Sequence, residues 1–128
     1  MKKILIDTNG YLRLLLNDIP NQANQVEFLL QQAKKGEIKV LLPEIVIFEL
    51  VFALTKYYRF SKEEIVDKIE SLISSTYIQV ESKRMFVKTI SLYPKSKVSF
   101  VDCFLRSTAE THSASLFTFD KKLKKESL

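Results

Sequence analysis

Apolar positions recur along this chain in two rhythms. Short runs bounded by polar stops read as buried strands, and longer stretches with apolar residues three and four apart read as helices. Lys3–Ile6 is a short run stopped by Asp7. Asn9 or Gly10 opens a short helix to Leu16, and Asn17, Asp18 and Pro20 turn the chain. Ala23, Val26, Leu29, Leu30 and Ala33 lie on one helical face, with Gly36 placed as the stop. Ile38–Leu42 is a second strand ended by Pro43. Glu44–Tyr58 is apolar on nearly all sides, which predicts a helix buried in the domain or at a subunit contact. Ser61 and Glu64 form a capping box ahead of Ile65, Ile69, Leu72 and Ile73. Tyr77–Val80 predicts a third strand, and Ser82 a cap for a helix to about Leu92. Tyr93–Val98 reads as a polar loop, Ser99 opens a helix to about His112, and Leu116–Phe119 predicts a fourth strand stopped by Asp120. A basic tail closes the chain.

Strands alternating with helices predict a parallel sheet. Right-handed crossovers then make a doubly wound α/β sandwich with helices on both faces. The length, 128 residues, suits one domain spanning 1–128. Only two glycines and three prolines interrupt it, and no linker or repeat appears.

Composition narrows the function classes. A single cysteine, Cys103, allows no internal disulfide and fits a reducing cytosol. One Cys and one His cannot build a structural zinc site. The most apolar stretch, Val40–Leu54, contains Pro43, Glu44 and Glu49 and falls short of the ~20 apolar residues of a membrane span. Lys2 and Lys3 imitate a signal peptide only faintly, because Asp7, Asn9 and Arg13 interrupt the apolar residues behind them. A cytoplasmic protein without membrane contact is expected. Lys and Arg number 20 against 15 Asp and Glu, a net charge of +5 that leans weakly towards a polyanionic partner.

Four acids change the picture. In an open parallel sheet, ligands bind at the carboxyl ends of the strands. Asp7 and Asp120 stand at that end of the first and fourth predicted strands. Glu49 lies in the helix after the second strand, and Asp102 in the first turn of the helix before the fourth. Each has a plain structural alternative. Asp7 can cap a helix, Asp102 can be the acid behind a Ser99 cap, and Asp120 can be a turn residue. Glu49 can be solvated, although its neighbours Ile45–Phe48 and Leu50–Leu54 are all apolar. Grouped at one edge, the four repel: at ~4 Å and an effective dielectric of ~20 each pair costs about 4 kcal/mol. A hard divalent cation removes the conflict, and oxygen ligands select Mg²⁺ or Mn²⁺ over zinc.

These residues resemble the PIN-domain family, in particular the VapC-type toxins. The resemblance runs in order through Ile4-Leu5-Ile6-Asp7-Thr8-Asn9, Pro43-Glu44-Ile45-Val46-Ile47-Phe48-Glu49-Leu50, Phe100-Val101-Asp102-Cys103 and Leu116-Phe117-Thr118-Phe119-Asp120. It implies a PIN-like sandwich on a central parallel sheet of four strands, a fifth being short or missing, since the chain runs only eight residues past Asp120. It also implies a Mg²⁺-dependent endoribonuclease, with Mn²⁺ as the other candidate, that leaves 5′-phosphate and 3′-hydroxyl ends. Asp7, Glu49, Asp102 and Asp120 carry over as the catalytic and metal-holding cluster. Thr8, Asn9 and Thr118 carry over as supporting hydrogen-bonders. A homodimer and a small antitoxin wrapping a groove near the site complete the type II toxin–antitoxin expectation. Cys103 stands where the family usually has Ala.

Without the four acids, 11 acidic groups (15 − 4) face 20 basic ones, or +9. Lys121, Lys122, Lys124 and Lys125 follow the last acid, and Arg13, Lys56 and Arg59 lie on the first and third helices, all candidates for RNA phosphates. The competing readings are a PIN-like nuclease acting on DNA and a non-catalytic RNA-binding module. A nucleophilic Asp7 of phosphoryl-transfer type lacks its second Asp, since Asn9 stands there.

Overall fold

A computed structural model describes residues 1–126, with side chains as far as Lys124; the Lys125 side chain, a candidate phosphate contact, therefore lies outside the described residues. Strand β1 (Lys2–Leu5) leads to helices α1 (Thr8–Leu16) and α2 (Pro20–Lys34), then β2 (Ile38–Leu42). Helices α3 (Glu44–Lys56) and α4 (Lys62–Ile73) lead to β3 (Ile78–Val80). After it come α5 (Lys83–Leu92), a 3₁₀ turn (Tyr93–Lys95), α6 (Phe100–Thr111) and α7 (Lys121–Glu126).

The strands pair in parallel in the order β1-β2-β3, with Ile4 opposite Val40 and Val40 opposite Ile78. Parallel partners share a face, so Ile4, Ile38, Val40, Leu42 and Ile78 form one apolar layer that joins the core. The opposite face carries Lys3, Leu5, Lys39 and Gln79, all exposed, with Leu41 half-buried.

Two expectations are corrected here. The described residues form three strands, not four or five, and Leu116–Phe119 is not a strand. Phe117 and Phe119 are 83% and 90% exposed, and no strand pairs with the outer edge of β1. Helical cover is correspondingly found on one face rather than both. Two right-handed crossovers stepping in one direction put their helices on the same side. Covering the other side requires a strand beyond β1 to reverse the winding, and that strand is missing among the described residues.

Local chemistry explains most boundaries. Asp7 caps α1, and Asn17, in the left-handed region at φ 49°, ends it by donating its N–H to the Arg13 carbonyl. Gly36 (φ 79°) follows α2 in a left-handed conformation that only glycine adopts without cost. Its N–H and that of Glu37 close the last turn onto Ala33 and Gln32. The Ser61–Glu64 capping box is present in both directions. Ser82 instead sits at φ 57° with no side-chain cap, and its hydroxyl donates to Glu44 Oε2. The expected polar loop begins as a 3₁₀ turn with Tyr93 buried, and the expected basic tail is α7, pinned by buried Leu123.

The core decides how the helices present the acids. Val46, Ile47, Leu50, Val51 and Leu54 of α3 are buried. Phe48, Phe86, Phe100 and Phe104 cluster between α3, α5 and α6, with Phe48–Phe104 edge to face and Phe86–Phe104 tilted, centroids 4.9 and 4.7 Å apart. Such pairs add about 0.5–1.5 kcal/mol each beyond their buried area. They lock α6 against α3, and so fix Asp102 relative to Glu49.

Candidate functional site

Glu49 lies on the side of α3 that the core does not use. Ile45, Glu49, Phe52 and Lys56 follow at helical spacing and are all exposed. The Thr8 hydroxyl donates to Glu49 Oε1 at 2.5 Å, so the start of α1 and the middle of α3 meet there. Asp7 precedes Thr8 at the carboxyl end of β1. Its Oδ1 accepts the Gly10 N–H at 2.9 Å, which orients the carboxylate and engages one of its two oxygens. Gly10 permits this turn to close tightly, since a Cβ there would stand 2.5 Å from Ile6 Cγ2.

Asp102 is half-buried in the first turn of α6, behind the Ser99 cap, whose Oγ accepts the Asp102 N–H at 3.1 Å. Phe100, Cys103, Phe104 and Ser107 take the buried face of α6, so Asp102, Val101 and Leu105 point away from it. Asp120 caps α7 by accepting the Leu123 N–H at 3.0 Å, and Thr118 Oγ1 accepts the Asp120 N–H at 3.0 Å. Thr118 thus holds the Asp120 backbone; no bond from it to the Asp120 carboxylate is seen among the described residues.

Three of the four acids thus fill the structural roles open to them in the sequence, as caps or first-turn acids. The structure joins Glu49 to the Asp7–Thr8 corner. Among the described residues, no three Asp, Glu, His or Cys side chains stand close enough together to hold a metal ion. The donor chemistry suits a hard cation, since all the candidates are carboxylates. The spacing does not form a cage for it.

An open cavity of about 620 Å³ borders this corner. Thr8, Asn9 and Glu49 lie at its polar end, and Phe52, Tyr57 and Tyr58 line it further along. A smaller apolar slot of about 270 Å³, between α3, Tyr93 and the start of α6, shares Phe48, Phe52 and Val101 with it. The aromatic wall escaped sequence reasoning. Its signal was an apolar excess on α3 larger than one buried face can use.

The expected basic contacts divide. Lys56, Arg59, Lys121 and Lys122 are exposed. Arg13 is engaged: Nη1 lies 3.2 Å from Asp18, and Nη2 donates to the Tyr58 hydroxyl at 3.3 Å. No helix among the described residues is long and apolar enough to cross a membrane.

A family model for the PIN domain matches residues 4–126. The chain belongs to the PIN-domain family. A curated relative, the VapC ribonuclease of Aquifex aeolicus (strain VF5), is 32% identical over 99 residues, covering 77% of this chain and 73% of the relative. No solved structure matches significantly. The PIN match takes in Asp7, Glu49, Asp102 and Asp120, as well as the segment from Leu116 to Phe119 that forms no strand here.

Proposed function

We propose that this PIN domain is a Mg²⁺-dependent endoribonuclease, the toxin of a type II toxin–antitoxin pair. The observation that carries the reading is the Thr8–Glu49 hydrogen bond, which ties Glu49 to the residue that follows Asp7 in a chain related to a VapC ribonuclease. Asp7, Glu49, Asp102 and Asp120 are the residues that would hold the cation, with Mn²⁺ as the alternative ion. When bound, such an ion supplies Lewis-acid polarisation of a phosphate and a more acidic water.

The chain's own groups do the rest. Thr8 fixes the Glu49 carboxylate, and the Gly10 N–H fixes that of Asp7, so both are oriented before RNA arrives. Asn9, exposed on the cavity wall, is placed to bond the sugar–phosphate backbone. Lys56, Arg59, Lys121 and Lys122 neutralise phosphates on either side. Hydrolysis by water forms a bond from water oxygen to phosphorus and breaks the bond to the 3′-oxygen, which leaves as the hydroxyl. The ends are then 5′-phosphate and 3′-hydroxyl. The apolar slot beside Phe48, Val51 and Val101 suits side chains of a small antitoxin, and Ile45 and Leu105, exposed on the same two helices, offer apolar surface for a homodimer.

The test is an assay on total RNA with Mg²⁺ and with EDTA, using wild type and Asp7→Asn, followed by end-group analysis. Cleavage is expected only with metal and wild-type protein, and only of RNA. Full activity in EDTA, or 2′,3′-cyclic phosphate ends, would overturn the mechanism. Cleavage of DNA in preference to RNA would overturn the substrate.

A further inference from the structure

The cavity beside Glu49 has more aromatic surface than phosphodiester chemistry requires. Phe52, Tyr57 and Tyr58 are 54%, 68% and 40% exposed on its wall. Phe52 stands one helical turn from Glu49 on the same stripe of α3, and Lys56 stands one turn further. We propose that Phe52, Tyr57 and Tyr58 form a stacking subsite for one unpaired nucleobase of a single-stranded RNA. This rests on the ribonuclease reading and names the substrate's form: the nucleotide beside the scissile phosphate is splayed out of its stack.

The rings are braced for the task. Phe52 and Tyr57 meet edge to face, with centroids 6.0 Å apart at 83°, so each ring buttresses the other. Tyr58 is held at its hydroxyl by Arg13, which is itself tied to Asp18. The Tyr58 hydroxyl accepts that bond and keeps its own proton to donate to a base edge. Lys56 Nζ lies 5.4 Å from the Phe52 centroid. A base stacking on Phe52 would displace the ammonium from the ring face to the adjoining phosphate. Arg59, three residues beyond the last residue of α3 rather than on the helix as expected, adds a second exposed cation at φ 55°, a left-handed conformation that costs a non-glycine residue energy. Aromatic faces flanked by cations match the way single strands are gripped without sequence readout. The cavity volume, about 620 Å³, falls in the range of small-ligand sites. A peptide side chain is the other candidate occupant. The polar end at Thr8, Asn9 and Glu49 and the flanking cations favour a nucleotide, while the neighbouring apolar slot suits a peptide better.

The experiment uses the full chain in EDTA with single-stranded oligoribonucleotides carrying 2-aminopurine at successive positions, so that stacking is read as quenching. One position should quench in wild type. Phe52→Leu and Tyr57→Leu, which keep apolar bulk without the π-face, should lose the quench and bind about five- to a hundred-fold more weakly. An abasic nucleotide at the quenched position should weaken wild type equally and the variants no further. The abasic series on wild type decides the matter even if a variant fails to fold. Full affinity for abasic RNA, with no quenching anywhere, would overturn the subsite and leave the rings to a peptide. If wild type then still cleaves RNA with Mg²⁺ and Asp7→Asn does not, the nuclease reading survives alone. Quenching and abasic sensitivity without any cleavage would support the subsite and sink the nuclease reading.

Discussion

At the scale of single residues, the carboxylate proposed for the chemistry also holds the fold. Asp7 caps α1 through Gly10, so Asp7→Ala removes a cap worth about 1 kcal/mol as well as a charged group. Asp7→Asn retains a capping oxygen, so it should melt near wild type while losing activity by orders of magnitude. Asp7→Ala should lose both. Parallel melting and RNA-cleavage measurements separate the two, and equal melting of Asn and Ala variants would show that the cap contributes nothing. Tyr11 offers a pH-dependent counterpart. It is fully buried, donates its hydroxyl to the Leu41 carbonyl at 2.9 Å, and burial pushes its phenol well above the ordinary range. A phenol raised in the folded state stabilises below the unfolded pKa of about 10 and loses that contribution as pH rises towards the folded value. Stability should therefore fall above about pH 10, by up to about 1.4 kcal/mol per pH unit for this proton. Buried Tyr93, shifted in the same direction by desolvation, adds to the slope. In Tyr11→Phe, urea unfolding at pH 9, 10 and 11 should show a flatter alkaline decline. An unchanged slope would mean that Tyr11 ionises equally in both states.

At the scale of elements, legibility followed the strength of local signals. The alternation of β2, Ile38, Val40 and Leu42 inward against Lys39 outward, left little choice of register. The capping box at Ser61–Glu64 and the stop at Gly36 are local hydrogen-bond geometries, and both appear as expected. The candidate acids stood out by residue type, because carboxylates next to apolar runs need a reason. Their double use as caps was legible as an alternative but could not be chosen between. The segment Leu116–Phe119 failed for a physical reason: Leu-Phe-Thr-Phe has strand-forming side chains, but a strand exists only by pairing. Here the pairing edge of β1 stays open and Phe117 packs edge-on to Phe119 instead, centroids 5.2 Å apart. The aromatic cavity was illegible because it joins α1 to α3 and the turn after it, segments distant in sequence, as the 41-residue separation of Thr8 and Glu49 illustrates. Hydrogen exchange tests the missing strand directly. Amides of Val40 and Leu42, in the central strand, should exchange only through large openings, while those of Phe117, Thr118 and Phe119 should exchange at nearly unprotected rates. Comparable protection in both segments would show that a fourth strand forms in solution.

At the scale of the whole molecule, the distribution of charge matters more than its sum. The net charge of +5 is modest, but Lys121 and Lys122 directly follow Asp120 at the start of α7, a short helix anchored by Leu123. Lys34 and Lys35 end α2 just before β2, so they lie towards the amino ends of the strands, while the Asp7–Glu49 corner lies towards the carboxyl ends. Charge-neutralising pairs at the two places change the net charge equally, from +5 to +3 (5 − 2), and differ only in position. Each phosphate contact on a single strand contributes about −0.7 to the slope of log affinity against log salt. Lys121→Gln with Lys122→Gln should therefore flatten that slope by about 1.4 and weaken RNA binding at low salt. Lys34→Gln with Lys35→Gln should leave the slope near wild type, because charges beyond a Debye length of about 10 Å at 0.1 M salt are largely screened. Filter binding of a single-stranded RNA in EDTA over a salt series measures both. Equal slopes in the two double variants would mean that RNA responds to overall charge alone, and α7 would then be no more than a solvated helix closing the domain.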